Sequence, residues 1–175
     1  MSKWIIDTEK GTVIPYVEKE DKEESSYGEK MLQLLHTWEG AKEWDGIVSG
    51  IQRWFYGHVE KASWCATTMS YLLTAVGLKT HEENVYNLMQ KCKSYASMGI
   101  GEFYTSASIP KVLRKGDILF MLWSGKSMTT TSSKHVTMCN NDTNADTIAC
   151  IGGNQNDSIC VSNYNRKNIY AVYRV

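Results

Sequence analysis

Three residues in this chain have the types and the order that thiol chemistry requires: Cys65, His135 and Asn154. A cysteine attacks as its thiolate, a histidine can take the thiol proton, and a third polar side chain can hold the imidazole in one tautomer. Cys65 opens the run Cys65-Ala66-Thr67-Thr68-Met69-Ser70-Tyr71-Leu72-Leu73, which reads as the start of a helix. A helix N-terminus lowers a thiol pKa, because free backbone N–H groups and the helix dipole favour the anion. Ser63 is the expected cap, and the Cys65 backbone N–H is a candidate oxyanion donor. His135 opens a strand-like run after a polar loop, where a side chain can face a cleft. Asn154 follows an apolar run and a Gly-Gly bend, closest to the strand end, with Gln155, Asn156 and Asp157 as adjacent alternatives. Each has an ordinary structural counterpart: a buried helix cysteine, a strand histidine, a turn asparagine.

The other titratable candidates are read as structural. His36 and His58 lie in or beside helices and His81 lies in a Thr80-His81-Glu82-Glu83 capping pattern, so all three are expected at the surface or in packing. Of five cysteines, Cys139, Cys150 and Cys160 sit in apolar strand-like runs and Cys92 ends a helical stretch. They are expected to behave as small buried hydrophobes. An odd count argues against a disulfide framework, and no CxxC pair suggests structural zinc. No metal and no organic cofactor is expected.

The period of apolar residues divides the chain. Residues 3–7 and 12–18 flank Glu9-Lys10-Gly11 as a hairpin, and Glu18 to Glu24 is a charged linker. Met31, Leu34, Leu35 and Trp38 predict a first helix stopped by Gly40; Ile47, Ile51, Trp54 and Phe55 predict a second ending near Gly57. Trp64 to Val76 is the third, and Val85, Leu88 and Met89 lie in a fourth. From 93 to 110 a short helical turn and a glycine-rich loop are expected. Strands are then predicted over 117–122, 135–139, 147–151, 159–164 and 169–174, separated by turn residues. Helices first and strands second give an α+β domain, with the helices on one face of an antiparallel sheet. Residues 1–26 are expected to be an N-terminal extension and 27–175 a single domain that carries the candidate catalytic residues.

Four motifs occur in one order: Trp64-Cys65-Ala66, Lys115-Gly116-Asp117-Ile118, His135-Val136 and Gly152-Gly153-Asn154-Gln155-Asn156-Asp157. Together they resemble the CHAP and NlpC-type amidase-peptidase superfamily, above all its small phage and bacterial cell-wall hydrolases. The resemblance runs from about Tyr27 to Val175. It implies a papain-like fold, a Cys65–His135–Asn154 triad, and cleavage of an amide bond in the stem peptide of peptidoglycan or at the muramoyl–alanine link; Trp64 and Gln155 are the candidate substrate contacts beside that triad. Lys134 departs from the glycine that relatives often carry before the histidine, the 124–134 loop is long and polar, and residues 1–26 have no counterpart.

Composition sets the remaining bounds. The chain has 175 residues, with 19 basic and 19 acidic side chains and no formal net charge, so no basic stripe points to nucleic acid. No run approaches a membrane span and the N-terminus lacks the apolar core of a signal peptide. Synthesis in a cytoplasm, a monomer, and action on the wall after release or export are the expectations, as an endolysin-like protein or an antibacterial effector. An effector would have an inhibitor or immunity protein as partner. Two other readings share these features: a cysteine peptidase or acyl transferase acting on proteins, and a non-catalytic binding domain on the same fold.

Overall fold

A computed structural model describes residues 4–7, 12–15, 26–124, 127–132 and 134–175. The first eight of these form a two-stranded antiparallel ribbon, β1 (Trp4–Asp7) with β2 (Thr12–Pro15), as the hairpin pattern predicts. The turn expected at Glu9-Lys10-Gly11 and the charged linker lie outside the described residues.

Four helices follow: α1 (Tyr27–Thr37), α2 (Gly46–Tyr56), α3 (Cys65–Ala75) and α4 (Val85–Ser97). Ser26 and Glu29 close a reciprocal capping box on α1, and Gly57 ends α2 with a left-handed residue at φ 78°. The capping pattern expected at Thr80–Glu83 is not used. Asn84 caps α4 instead, its side chain accepting from the Tyr86 N–H. Residues 80–82 are held by α3: Ser70 donates to the Glu82 carbonyl and Thr74 to the Thr80 carbonyl, and each hydroxyl accepts a backbone N–H in return. These bonds account for Ser70 and Thr74, two polar residues four apart on a helix whose Leu72 and Leu73 are core.

The strands are β3 (Glu102–Thr105), β4 (Ile118–Leu122), β5 (Lys134–Cys139), β6 (Thr147–Gln155), β7 (Ser158–Asn165) and β8 (Ile169–Arg174). They form one antiparallel sheet in the order β3-β8-β4-β5-β6-β7. The α+β expectation therefore holds. The segment from 93 to 110 differs from expectation: α4 runs on to Ser97 and β3 is an edge strand paired with β8. Four residues are too few to display a two-residue period.

Alternate residues of the central strands enter two cores. Ile118, Phe120, Val136, Met138 and Ile151 meet Met31, Leu35, Ala66, Met69, Leu72 and Leu88 of the helices. Leu119, Met121, Cys139, Ile148, Cys150, Ile169 and Val172 pack on the opposite face with Leu113. β4 is consequently buried on both faces and reads as an unbroken apolar run rather than an alternation. α3 is the inner helix, with Cys65 to Ser70 all buried.

Asp117 locks the start of β4. Its carboxylate accepts two bonds from Arg174, at 2.8 Å from Nε and 2.7 Å from Nη2, and one from the Arg114 N–H at 2.8 Å. Its carbonyl accepts from the Cys139 N–H at 2.8 Å, so one residue joins β4, β5 and β8. Asp117 is 1% exposed. Arg174→Met should strip this buried carboxylate of its counter-charge and cost about 3–5 kcal/mol in urea denaturation; a loss under about 1 kcal/mol would show that the pair does not hold the sheet.

Candidate active site

Cys65 is the first residue of α3, preceded by Trp64 in the capping position. No side chain caps the helix, so Ser63 does not take the role expected of it. Thr68 closes the first turn, directing both its N–H (3.0 Å) and its hydroxyl (2.8 Å) to the Trp64 carbonyl. The N–H groups of Cys65 and Ala66 stay near the Cys65 sulfur.

The sheet opens where this helix end arrives. The β5–β6 ladder pairs Met138 with Ile151 and Cys139 with Cys150. The Cys139 backbone faces β4, through its N–H to the Asp117 carbonyl and its carbonyl to the Gly116 N–H. Strand alternation therefore aims the Val136 N–H toward β6, beyond the last paired residues. The Cys65 sulfur lies near that N–H, which favours its anion. The nucleophile candidate thus lies against the peptide bond that joins His135 to Val136.

The gap depends on Gly152 and Gly153. A Cβ on Gly153 would come 2.9 Å from Trp64 Cε3 and 2.9 Å from Thr68 Cβ, and one on Gly152 would come 2.9 Å from Thr137 Oγ1. Asn154 then takes a left-handed conformation at φ 59°, inside a register shift between Gly152 and Gln155. Such a bulge re-aims the next side chain. The strand ends in a two-residue turn, Asn156-Asp157, both at positive φ as tight hairpins favour.

The re-aimed side chain is Gln155. Its amide nitrogen donates to the carbonyls of Cys150 (3.2 Å) and Cys160 (2.5 Å). Both amide protons are thereby committed, and the oxygen is turned toward β5. There Oε1 lies 3.2 Å from His135 Nε2 and 2.7 Å from Thr137 Oγ1. An amide oxygen only accepts, so His135 must carry its proton on Nε2 and keep the lone pair on Nδ1. The ring-orienting contact expected of Asn154 is made by Gln155. Asn154 contributes the backbone turn.

Two further expectations change. Trp64 is 1% exposed and Gln155 3%, so neither stands on a cleft wall as a substrate contact. Cys65 and His135 keep small exposed fractions, 6% and 8%. The helix end also does not win the contest for the thiol. Burial pushes Cys65 up; the N–H groups of Val136, Ala66 and Cys65 and the Lys134 ammonium oppose it without reversing it. Burial likewise holds His135 down, against its bond to Gln155. Burial thus favours the thiol form of Cys65 and the neutral form of His135.

Residues outside the sequence reading of the site complete it. Lys134, noted only as a departure, donates from Nζ to the carbonyls of Thr130 (2.6 Å) and Ser132 (3.0 Å) and places positive charge near the sulfur. The polar loop before it is anchored by buried Met128 and by Asn84, whose Nδ2 donates to the Thr130 carbonyl. Tyr164 packs on the His135 ring at 5.7 Å between centroids, and Trp123 stacks on Tyr164 at 5.6 Å and 19°. Burial pushes the Tyr164 phenol up to about 12, so it stays protonated. His36 and His58 sit at the surface beside Glu39 and Glu60, and His81 stacks on Phe55 at 3.8 Å. Among the described residues no group of three or more His, Cys, Asp or Glu could hold a metal ion. No helix there is long and apolar enough to cross a membrane.

No family model matches the chain, and neither the curated proteins nor the solved structures include a match.

Two outcomes follow for His135. Nitrogen-15 spectra of the imidazole should show the Nε2–H tautomer at neutral pH, with protonation below the usual histidine value of about 6.5. The unfolded chain takes up its proton near that value while the folded chain refuses it until lower pH. The stability this residue contributes is therefore complete above ~pH 6.5 and falls as pH drops toward the folded value. An Nδ1–H tautomer, or a titration raised above 6.5, would contradict the Gln155 geometry.

Proposed function

We propose that this protein is a cysteine-dependent amidase or endopeptidase of papain-like plan that cleaves an amide bond in peptidoglycan. The observation that carries the chemistry is the Cys65 sulfur lying near the Val136 N–H, one residue along the chain from an imidazole whose Nε2–H is held by Gln155. The four-motif resemblance to the CHAP and NlpC-type superfamily supports the substrate class and the plan of the fold.

In this mechanism the Nδ1 lone pair of His135 takes the Cys65 proton as the sulfur bonds to the amide carbonyl carbon. The Cys65 N–H faces the oxyanion that develops. Collapse breaks the C–N bond, and the departing amine takes its proton from Nδ1. Water, losing a proton to His135, then attacks the thioester; the carboxylic acid leaves and the thiol is restored. Starting from a neutral pair, proton transfer accompanies attack instead of preceding it. Gln155 holds the ring throughout, Thr137 supports Gln155, and Lys134 favours the sulfur anion as it forms.

The test is turbidity loss and mass spectrometry of fragments released from purified peptidoglycan, with wild type beside Cys65→Ala. Wild type should release fragments whose masses name the bond, and Cys65→Ala should fall by at least about 10³-fold. Equal activity of both proteins would overturn the thiol mechanism. Inactivity of wild type on several wall types, with Cys65-dependent cleavage of a protein substrate, would move the activity to proteins. A Cys65→Ala protein that binds wall fragments as wild type does, neither cleaving any substrate, would leave a binding domain.

A further inference from the structure

Cys139 on β5 and Cys150 on β6 stand directly opposite one another in the sheet. Opposite residues of an antiparallel pair share a face, and both side chains belong to the core on the side away from the helices. The two strands exchange a hydrogen bond one residue further on, from the Asn140 N–H to the Ala149 carbonyl. The Cys139 backbone bonds to the β4 side. Cys139 and Cys150 are therefore a non-hydrogen-bonded pair, the closer of the two antiparallel kinds, with Cα atoms about 4.5 Å apart. That separation falls inside the range disulfides use, roughly 4.4–6.8 Å. Both cysteines are free.

We infer that Cys139 and Cys150 are the sites of an intramolecular disulfide, formed when the protein meets a small-molecule disulfide. One thiolate attacks that oxidant, releasing one small thiol and leaving a mixed disulfide. The second protein thiolate attacks the protein-side sulfur of the mixed disulfide and releases the other small thiol. The protein loses two electrons and two protons, and the oxidant gains them.

No other cysteine fits as well. Cys160 pairs with Gly152, so it lies diagonally from Cys150 across β6 and β7, at about 7–8 Å by strand geometry and beyond disulfide reach. Cys65 and Cys92 belong to the core on the opposite face of the sheet. Both proposed partners are fully buried, and burial pushes Cys139 up to about 11 and Cys150 higher still. The closed fold therefore reacts slowly, and the bond forms as the chain folds or when β5 and β6 part. Once made, it ties the strand carrying His135 to the strand carrying Gln155.

The test is a thiol map of full-length Cys65→Ser protein refolded in a buffer of glutathione disulfide and glutathione, quenched in acid, unfolded, alkylated and digested. The expected product is one linked peptide pair joining Cys139 to Cys150, with the mass loss of two hydrogens, while Cys92 and Cys160 alkylate. Oxidation should raise Tm by roughly 5–10 °C, and it should not do so in a further Cys139→Ala variant. If that variant does not fold, the thiol map alone decides. Alkylation of both Cys139 and Cys150 after oxidative refolding, or a link from Cys150 to Cys160, would overturn the inference.

Discussion

The site turns on the orientation of one buried amide. Gln155 faces two backbone carbonyls with its nitrogen, and only donors satisfy carbonyls, so its oxygen has to face β5. The Thr137 hydroxyl has one proton and two acceptors in reach, the Gln155 oxygen and the Ile151 carbonyl. The His135 Nε2–H is the other donor that oxygen meets. A buried amide left half satisfied costs about 1–3 kcal/mol for each stranded group, which makes the reversed amide or the other imidazole tautomer the expensive state. A proton on Nε2 puts the lone pair on Nδ1, and a lone pair is what a general base needs.

The rest of the fold can be read as what holds that amide there. The bulge at Asn154 turns Gln155 inward, and the Asn156-Asp157 turn brings back β7 with the Cys160 carbonyl. The chain after α1 clamps this hairpin: the Gly40 N–H donates to the Ile159 carbonyl, the Ile159 N–H to Ala41, and the Glu43 N–H to Asp157. Two glycines let α3 come close enough for its first residue to occupy the gap in the β5–β6 ladder. Asp117 fixes β4, β5 and β8 relative to one another through one side chain and one carbonyl. A central helix buried on most sides and a strand buried on both faces are the structural cost of delivering Cys65 to Val136.

Much of this was legible in the residues. A change of apolar period from helical to extended near Pro110 located the two halves of the domain, and Gly57 marked the end of α2. Cys65 at a helix start and His135 at a strand start followed from the same patterns. The third site residue did not. Counting along β6 with a two-residue period assumes regular pleating, and a left-handed Asn154 breaks it, so the neighbour turns inward. β3 was too short to show a period, and Asn84 rather than Thr80 caps α4 because Thr80 is already bound to Thr74. The thiol's ionisation was also out of reach of local pattern. The helix end lowers it as expected, but how deeply the packed fold buries it is not written in the local sequence.

The most direct measurement of the central claim is the rate of Cys65 alkylation by iodoacetamide as a function of pH, read by peptide mass spectrometry. A resting pair of thiol and neutral imidazole gives a rate that climbs with pH through and beyond the ordinary thiol range of about 8.5, with no reactive plateau in acid. A rate that stays high and flat down to about pH 5 marks a preformed thiolate–imidazolium pair, and that result would contradict the account.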